Sequence, residues 1–95
     1  MVTILIVDDD PLVRAGLRLI LGGSPSLQVV GEGSDGDEAV DLVTEHRPDV
    51  VLMDIRMPRV DGLEATRRLQ ALPEPPRIIV LTTFDSDDLV LRALT

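Results

Sequence analysis

The chain has 95 residues, 44% of them hydrophobic and 27% charged, which predicts one small globular domain, residues 1–95, with a modest core. Its net charge of −8 and its single aromatic residue, Phe84, argue against DNA, anionic membranes and base-stacking nucleic-acid surfaces as partners of this chain itself. Cysteine is absent, so disulfides and thiolate metal sites are excluded. Because no signal peptide or membrane-spanning run is visible, we expect a cytoplasmic protein.

Four apolar segments predict β-strands in chain order. They cover residues 2–7, 27–30, 50–53 and 77–81. The first, third and fourth are continuous apolar runs rather than alternating ones. This pattern is typical of strands that are buried on both faces of a parallel sheet.

Helical patterns separate the strands. The first helix is predicted over residues 11–21, with Asp10 as its N-cap and Pro11 at its first position. The second helix is predicted to begin after an N-cap at Ser34 and to end before Pro48. The later helices are predicted over residues 63–72 and from near Ser86. Strand and helix thus alternate four times, which predicts an α/β fold, a doubly wound parallel sheet with helices on both faces. We expect the flavodoxin-like strand order 2-1-3-4.

Acidic residues follow two of the predicted strands. Asp8 and Asp9 come directly after the first strand, and Asp54 follows the third. In the expected strand order these two strands are neighbours, and ligands bind at the carboxyl ends of such strands. Three carboxylates in one crevice would raise each other's pKa, and a hard divalent cation with oxygen ligands would relieve that cost. The sequence therefore predicts a magnesium site there.

Several of the acids could instead have a purely structural role. Helix capping or turn geometry accounts for three of them: Asp10, Asp49 and Asp61. Asp8 and Asp9 could form a loop or a capping pair, an alternative that the residues leave open. Asp54 is harder to assign in this way, because it stands between Met53 and Ile55 after a buried strand and is costly there without a partner.

Two hydroxyl residues, Thr82 and Thr83, end the predicted fourth strand. As β-branched residues they suit a strand without any further role. Alternatively, a hydroxyl at this edge of the sheet could donate a hydrogen bond to a phosphoryl oxygen.

Four motifs together resemble a known family. They are ILIVDDDP at residues 4–11, PDVVLMDIRMP at 48–58, DGLEA at 61–65 and VLTTFD at 80–85. In this order and spacing they resemble the receiver domain of bacterial two-component response regulators, and the last motif resembles the NarL/FixJ (LuxR-type) subfamily. The resemblance extends over the whole chain.

The resemblance implies a role for each matching residue. Asp54 would be the phosphoacceptor that receives a phosphoryl group from a sensor histidine kinase. Asp9 and Asp54 would bind Mg²⁺ (or Mn²⁺) together with the backbone carbonyl of Arg56, and Asp8 would act through a metal-bound water. Thr82 would bind the phosphoryl group. Such a domain is a signalling module rather than a turnover enzyme, and in the intact protein it would regulate a helix-turn-helix DNA-binding domain.

The chain also departs from the family pattern. Receiver domains have a fifth strand and a fifth helix, with a lysine at the end of that strand, and the chain stops at Thr95 before them. We therefore expect a receiver cut inside its last element, and phosphorylation-independent interaction or dimerisation is an alternative function. A magnesium-dependent phosphatase is disfavoured, because the second acid that such an enzyme would want two residues after its nucleophile is Arg56 here.

The cut also predicts self-association. Without a fifth strand, the apolar fourth strand, residues 78–81, would become an edge, and such edges invite pairing with another chain. We expect a homo-oligomer, formed through this edge or by exchange of the terminal helix.

Overall fold

The computed structural model describes residues 1–81, in which strands and helices alternate along the chain. The elements are β1 (Val2–Val7), α1 (Pro11–Gly22), β2 (Leu27–Gly33), α2 (Ala39–His46), β3 (Val50–Asp54), α3 (Gly62–Gln70) and β4 (Arg77–Leu81), with a 3₁₀ turn at Gly36–Glu38 before α2. The predicted helix near Ser86 lies outside the described residues. None of the described helices is long and apolar enough to cross a bilayer.

The four strands form one parallel sheet in the order β2-β1-β3-β4, which confirms the predicted flavodoxin-like topology. β1 lies in the middle and pairs with both β2 and β3. Val7, the last residue of β1, is opposite Met53 in β3. The next residues along the two strands, Asp8 and Asp54, therefore emerge side by side at the carboxyl edge of the sheet.

Helices cover the sheet on both faces, and successive strand residues point to opposite sides. On one face Leu5, Val51 and Met53 pack with Val43 of α2 and Leu69 of α3. The other face carries a smaller cluster of Ile4, Ile6 and Leu52, and Leu17 and Leu21 of α1 pack against it. Burying each aliphatic side chain of this size contributes about 1.5–3 kcal/mol, so the two clusters fix the position of β1 and β3.

The second strand is longer than its apolar run predicts, since it continues to Gly33. Gly31 and Gly33 have weak strand propensity, yet both pair with β1, Gly33 opposite Val7. A β-carbon at Gly33 would lie 2.8 Å from the side chain of Leu42, so α2 packs directly on this backbone. The extended part of the strand is therefore the part on which α2 packs closely, a contact that strand propensity does not reveal.

The predicted N-cap of the second helix was wrong by one residue. Asp35, not Ser34, caps the 3₁₀ turn, and it forms a capping box with Glu38. The Glu38 carboxylate accepts hydrogen bonds from the Ser34 and Asp35 amides, each at 2.9 Å. The Ser34 hydroxyl donates to the same carboxylate, so Ser34 is held by the turn instead of capping it.

At the opposite end of the sheet, Asp49 ties the starts of two strands together. Its carboxylate accepts hydrogen bonds from the Thr3 amide at 2.9 Å and from the Thr3 hydroxyl at 3.1 Å. These bonds lower the pKa of Asp49. Asp49 therefore has a structural role far from the acidic edge, as its interpretation as a turn residue implies.

Candidate acidic site at the carboxyl edge of the sheet

The structure brings together the three acids that the sequence singles out. Asp8, Asp9 and Asp54 each offer a carboxylate oxygen, and these oxygens all lie within 4.8 Å of one another. The neighbouring positions of β1 and β3 cause this convergence of residues that are far apart in sequence. Three hard oxygen donors at this spacing suit Mg²⁺, which is usually held by one or two carboxylates and retained waters.

The three carboxylates differ in exposure. Asp8 is buried, Asp54 is half-buried and Asp9 is exposed. Asp8 also has local bonds, because its side chain accepts a hydrogen bond from the Asp10 amide at 2.8 Å and its carbonyl accepts one from the Arg14 guanidinium. The site thus has a fixed inner wall at Asp8 and an open side at Asp9.

Burial and mutual repulsion disturb the ionisation of the site. Burial, followed by the negative charges of Asp8 and Asp9, raises the pKa of Asp54 to about 6, although an amide hydrogen bond from Arg56 opposes the change. Burial also raises the pKa of Asp8, against the lowering effect of the Asp10 amide. The site therefore holds more negative charge than its surroundings stabilise, which is the condition that a bound divalent cation relieves.

The segment after β3 forms the other wall of the site. The Arg56 backbone N–H donates to the Asp54 carboxylate, so the Arg56 backbone lies next to Asp54. An adjoining cleft of about 450 Å³ is lined by Asp9, Ile55, Arg56, Met57, Pro58, Asp61 and Leu63. The acidic cluster is thus open on this side to a ligand or a partner side chain.

Two further acids near the site are helix caps, a role that the sequence predicts for Asp10, whereas it indicates only a turn residue at Asp61. Asp10 accepts a hydrogen bond from the Leu12 amide at 2.9 Å, and Asp61 accepts one from the Glu64 amide at 2.9 Å. Thr82, the predicted phosphoryl-binding residue, lies outside the described residues, as does Thr83.

Sequence reasoning missed Asp35 as a residue connected to the site. Asp35 is buried, and its carboxylate accepts hydrogen bonds from the amides of Arg59 and Val60 in the segment between β3 and α3. The available signal was the dipeptide Asp35-Gly36 with Glu38 three residues after the aspartate, which predicts a capping box. That signal would have identified Asp35 as a cap, but it would not have predicted the hydrogen bonds that Asp35 accepts from Arg59 and Val60.

Comparison with known proteins agrees with this geometry. The family model of the response regulator receiver domain matches residues 4–95. The transcriptional regulatory protein LiaR of Bacillus subtilis is 47% identical over 90 residues, which cover 95% of this chain and 43% of LiaR. The transcriptional regulatory protein DegU of Brevibacillus brevis is 43% identical over 93 residues, which cover 98% of this chain and 39% of DegU. The chain thus spans about two fifths of the length of these relatives.

A solved structure shows the same likeness in three dimensions. The two-component response regulator of the LuxR family from Aurantimonas sp. SI85-9A1 superposes with a TM-score of 0.90 at 36% identity, over 99% of this chain and 67% of that one. Sequence motifs, strand order and the acidic edge of the sheet all agree with this result. The chain therefore belongs to the receiver domains of two-component response regulators and resembles those of the NarL and LuxR type.

Proposed function

We propose that Asp54 accepts a phosphoryl group from a phosphohistidine on a sensor histidine kinase. The observation that carries the proposal is the position of Asp54, half-buried at the end of β3 and within reach of two other carboxylates. An acid whose pKa is raised to about 6, next to a cleft that Asp9, Ile55 and Arg56 line, is a candidate for chemistry rather than for structure alone.

The same acids would hold the cation that phosphoryl transfer requires. Asp9 and Asp54 would be side-chain ligands of Mg²⁺, or of Mn²⁺, the Arg56 carbonyl would be a backbone ligand, and Asp8 would act through a water. When bound, the cation neutralises charge on the carboxylates and on the phosphoryl oxygens. The close spacing of the acids and the elevated pKa values of Asp8 and Asp54 support this assignment.

The transfer step needs little from the protein besides position and charge. A carboxylate oxygen of Asp54 attacks the phosphorus atom, and the phosphorus–nitrogen bond of the phosphohistidine breaks. The electron pair of that bond stays on the imidazole nitrogen, and an acyl phosphate forms on Asp54. The Thr82 hydroxyl would hydrogen-bond to a phosphoryl oxygen. Asp54 thus acts as a phosphoacceptor, and the chain is a signalling module rather than an enzyme that turns over an external substrate.

The relatives suggest what the modification controls. LiaR and DegU are named transcriptional regulatory proteins, and this chain matches about two fifths of each. We propose that a receiver of this kind regulates a DNA-binding domain in a longer cytoplasmic protein. The net charge of −8 supports the corollary that residues 1–95 do not bind DNA themselves.

Self-association is a further part of the proposal. Among residues 1–81, β4 is paired on one side only, with β3, and Ile79 is 51% exposed. A second copy could pair along this strand. Light scattering on the eluting peak of a size-exclusion column tests this, and a monomer at high protein concentration would contradict it.

Treatment with a small phosphodonor tests the acceptor role directly. Incubation with Mg²⁺ and acetyl phosphate should add one phosphoryl group by intact mass, and both EDTA and Asp54→Ala should abolish the addition. Asp49→Ala is the matched control, because that acid lies at the opposite end of the sheet, and it should leave the adduct in place. A chain with no Mg²⁺ affinity would instead indicate an interaction module, and continuous phosphate release from an unrelated ester would indicate a phosphatase.

A further inference from the structure

Asp35 joins two loops that are distant in sequence. The residue is 3% exposed, and both of its carboxylate oxygens accept hydrogen bonds. One oxygen accepts from the Arg59 amide at 3.0 Å, and the other accepts from the Val60 amide at 2.7 Å. These donors lie 24 and 25 residues further along the chain, so the bonds connect the turn before α2 to the loop after β3.

Two more contacts join the same two loops. The Gly36 amide donates to the Val60 carbonyl at 3.1 Å, and a β-carbon at Gly36 would lie 2.3 Å from that oxygen, so only glycine fits. On the surface, the Arg59 guanidinium lies 3.2 Å from the Asp37 carboxylate. An exposed ion pair of this kind contributes little, and the buried Asp35 carboxylate is the main anchor.

The loop that Asp35 holds is also closed at its other end. The Gly62 amide donates to the Ile55 carbonyl at 2.8 Å, which brings the two ends of residues 55–61 together. Within this loop the Arg56 amide donates to the Asp54 carboxylate. The position of the Arg56 backbone beside the acidic site therefore depends on how the loop is held.

We propose that Asp35 is a positioning residue for the acidic site, because it fixes the loop that places the Arg56 amide next to Asp54. It touches neither the three acids nor any group that would react, and it acts through the backbone of residues 55–61. The link to cation binding rests on the function proposed above, whereas the link to the Arg56 backbone does not.

The ionisation of Asp35 is consistent with this anchor. Burial alone would raise its pKa, but hydrogen bonds from the amides of Arg59, Val60, Asp37 and Gly36 outweigh burial and lower the pKa. Asp35 is therefore a carboxylate, and each of its two oxygens accepts a hydrogen bond from a backbone amide. Asparagine has nearly the same shape but offers one acceptor oxygen and places an NH₂ group against a backbone donor.

The test compares Asp35→Asn with Asp37→Asn, a matched change of an exposed neighbour. Amide hydrogen exchange in metal-free protein should be roughly tenfold faster in Asp35→Asn for Arg56, Arg59 and Val60, and unchanged for Leu5 in β1. The Mn²⁺ dissociation constant, measured from the electron paramagnetic resonance of free Mn²⁺, should rise roughly tenfold. Asp37→Asn should stay near wild type in both measurements.

Wild-type protein offers a second measurement that does not depend on how well a variant folds. Coupling between two sites is reciprocal, so saturating Mg²⁺ should slow exchange of the Val60 amide while the Leu5 amide keeps its rate. A folded Asp35→Asn variant with wild-type Arg56 exchange would overturn the inference, as would Mg²⁺ binding that leaves Val60 exchange unaltered. Wild-type protein that binds no Mn²⁺ would sink the proposed function, and the metal-free Arg56 exchange would still decide the role of Asp35.

Discussion

Gly62 packs against the backbone of Asp54 so closely that a β-carbon at position 62 would lie only 2.2 Å from the Asp54 carbonyl oxygen. Gly62 is the first residue of α3, and Asp54 is the last residue of β3. The helix therefore begins directly on the strand end that carries the candidate phosphoacceptor. Because backbone contacts backbone here, no rotamer change can relieve an added side-chain atom.

Replacement of Gly62 by alanine should consequently be costly. We expect Gly62→Ala to lower the free energy of unfolding by about 2–3 kcal/mol, since the overlap must be relieved by moving β3 or α3. Gly16→Ala is the control, because Gly16 lies within α1 with no atom within 4 Å of a β-carbon. That change should raise the free energy of unfolding by up to about 1 kcal/mol in urea denaturation. Equal effects of the two changes would contradict the packing argument.

Asp54 should destabilise the metal-free protein at neutral pH. Its pKa is raised from 3.8 to about 6, so between these values the folded state binds more protons than the unfolded state. The free energy of unfolding then falls as pH rises through this window. Allowing for solvent screening, Asp54→Asn should gain about 1–2 kcal/mol at pH 7.5 and almost nothing at pH near 4, measured by urea denaturation.

The same type of substitution at Asp49 should change the free energy of unfolding in the opposite direction. The pKa of Asp49 is lowered by hydrogen bonds from Thr3, so its charged form favours folding above the unfolded pKa. Asp49→Asn should therefore reduce stability at pH 7.5, and the loss should persist down to about pH 4 and shrink only as the pH falls below the unfolded pKa of 3.8. Stabilisation by both substitutions would show that the effect of Asp54→Asn does not come from its raised pKa.

Cation binding should depend on pH through the same carboxyl group. A ligand must lose its proton before it binds metal, and with a pKa of about 6 Asp54 is mostly protonated at pH 5. We expect Mg²⁺ affinity by calorimetry to be roughly tenfold weaker at pH 5 than at pH 7.5. Affinity that is constant over this range would exclude Asp54 as a ligand.

Shortening a leucine side chain to alanine should lower the free energy of unfolding according to how deeply that leucine is buried. Leu5 in β1 is fully buried, whereas Leu12 in α1 is 82% exposed. Leu5→Ala should lower the free energy of unfolding by about 2–5 kcal/mol, and Leu12→Ala should change it by less than about 0.5 kcal/mol. Circular dichroism during urea denaturation measures both. A large effect at Leu12 would instead show that its exposed side chain packs against another surface, such as a second copy.

The sequence predicted much of the site because the site depends on strand order. The spans of β1 and β4 agree with the apolar runs, and Asp10 caps α1 as its position before Pro11 indicates. Once the strands alternate with helices, the handedness of the crossovers leaves few orders, and each of them places acids at strand ends on one edge. The convergence of Asp8 with Asp54 follows from this topology.

The sequence by itself determined the alternation of strands and helices, the cap of α1 and the edge at which the acids lie, since these depend on local periodicity and on the few topologies that a parallel sheet allows. Only the tertiary structure decided which backbones touch: Gly62 on the Asp54 carbonyl, and Asp35 on the Arg59 and Val60 amides. The raised pKa of Asp54 also depends on the tertiary structure, because Asp54 is buried and lies close to the charges of Asp8 and Asp9 only after the chain has folded. Contacts between loops depend on distances across the fold, which no local sequence pattern records.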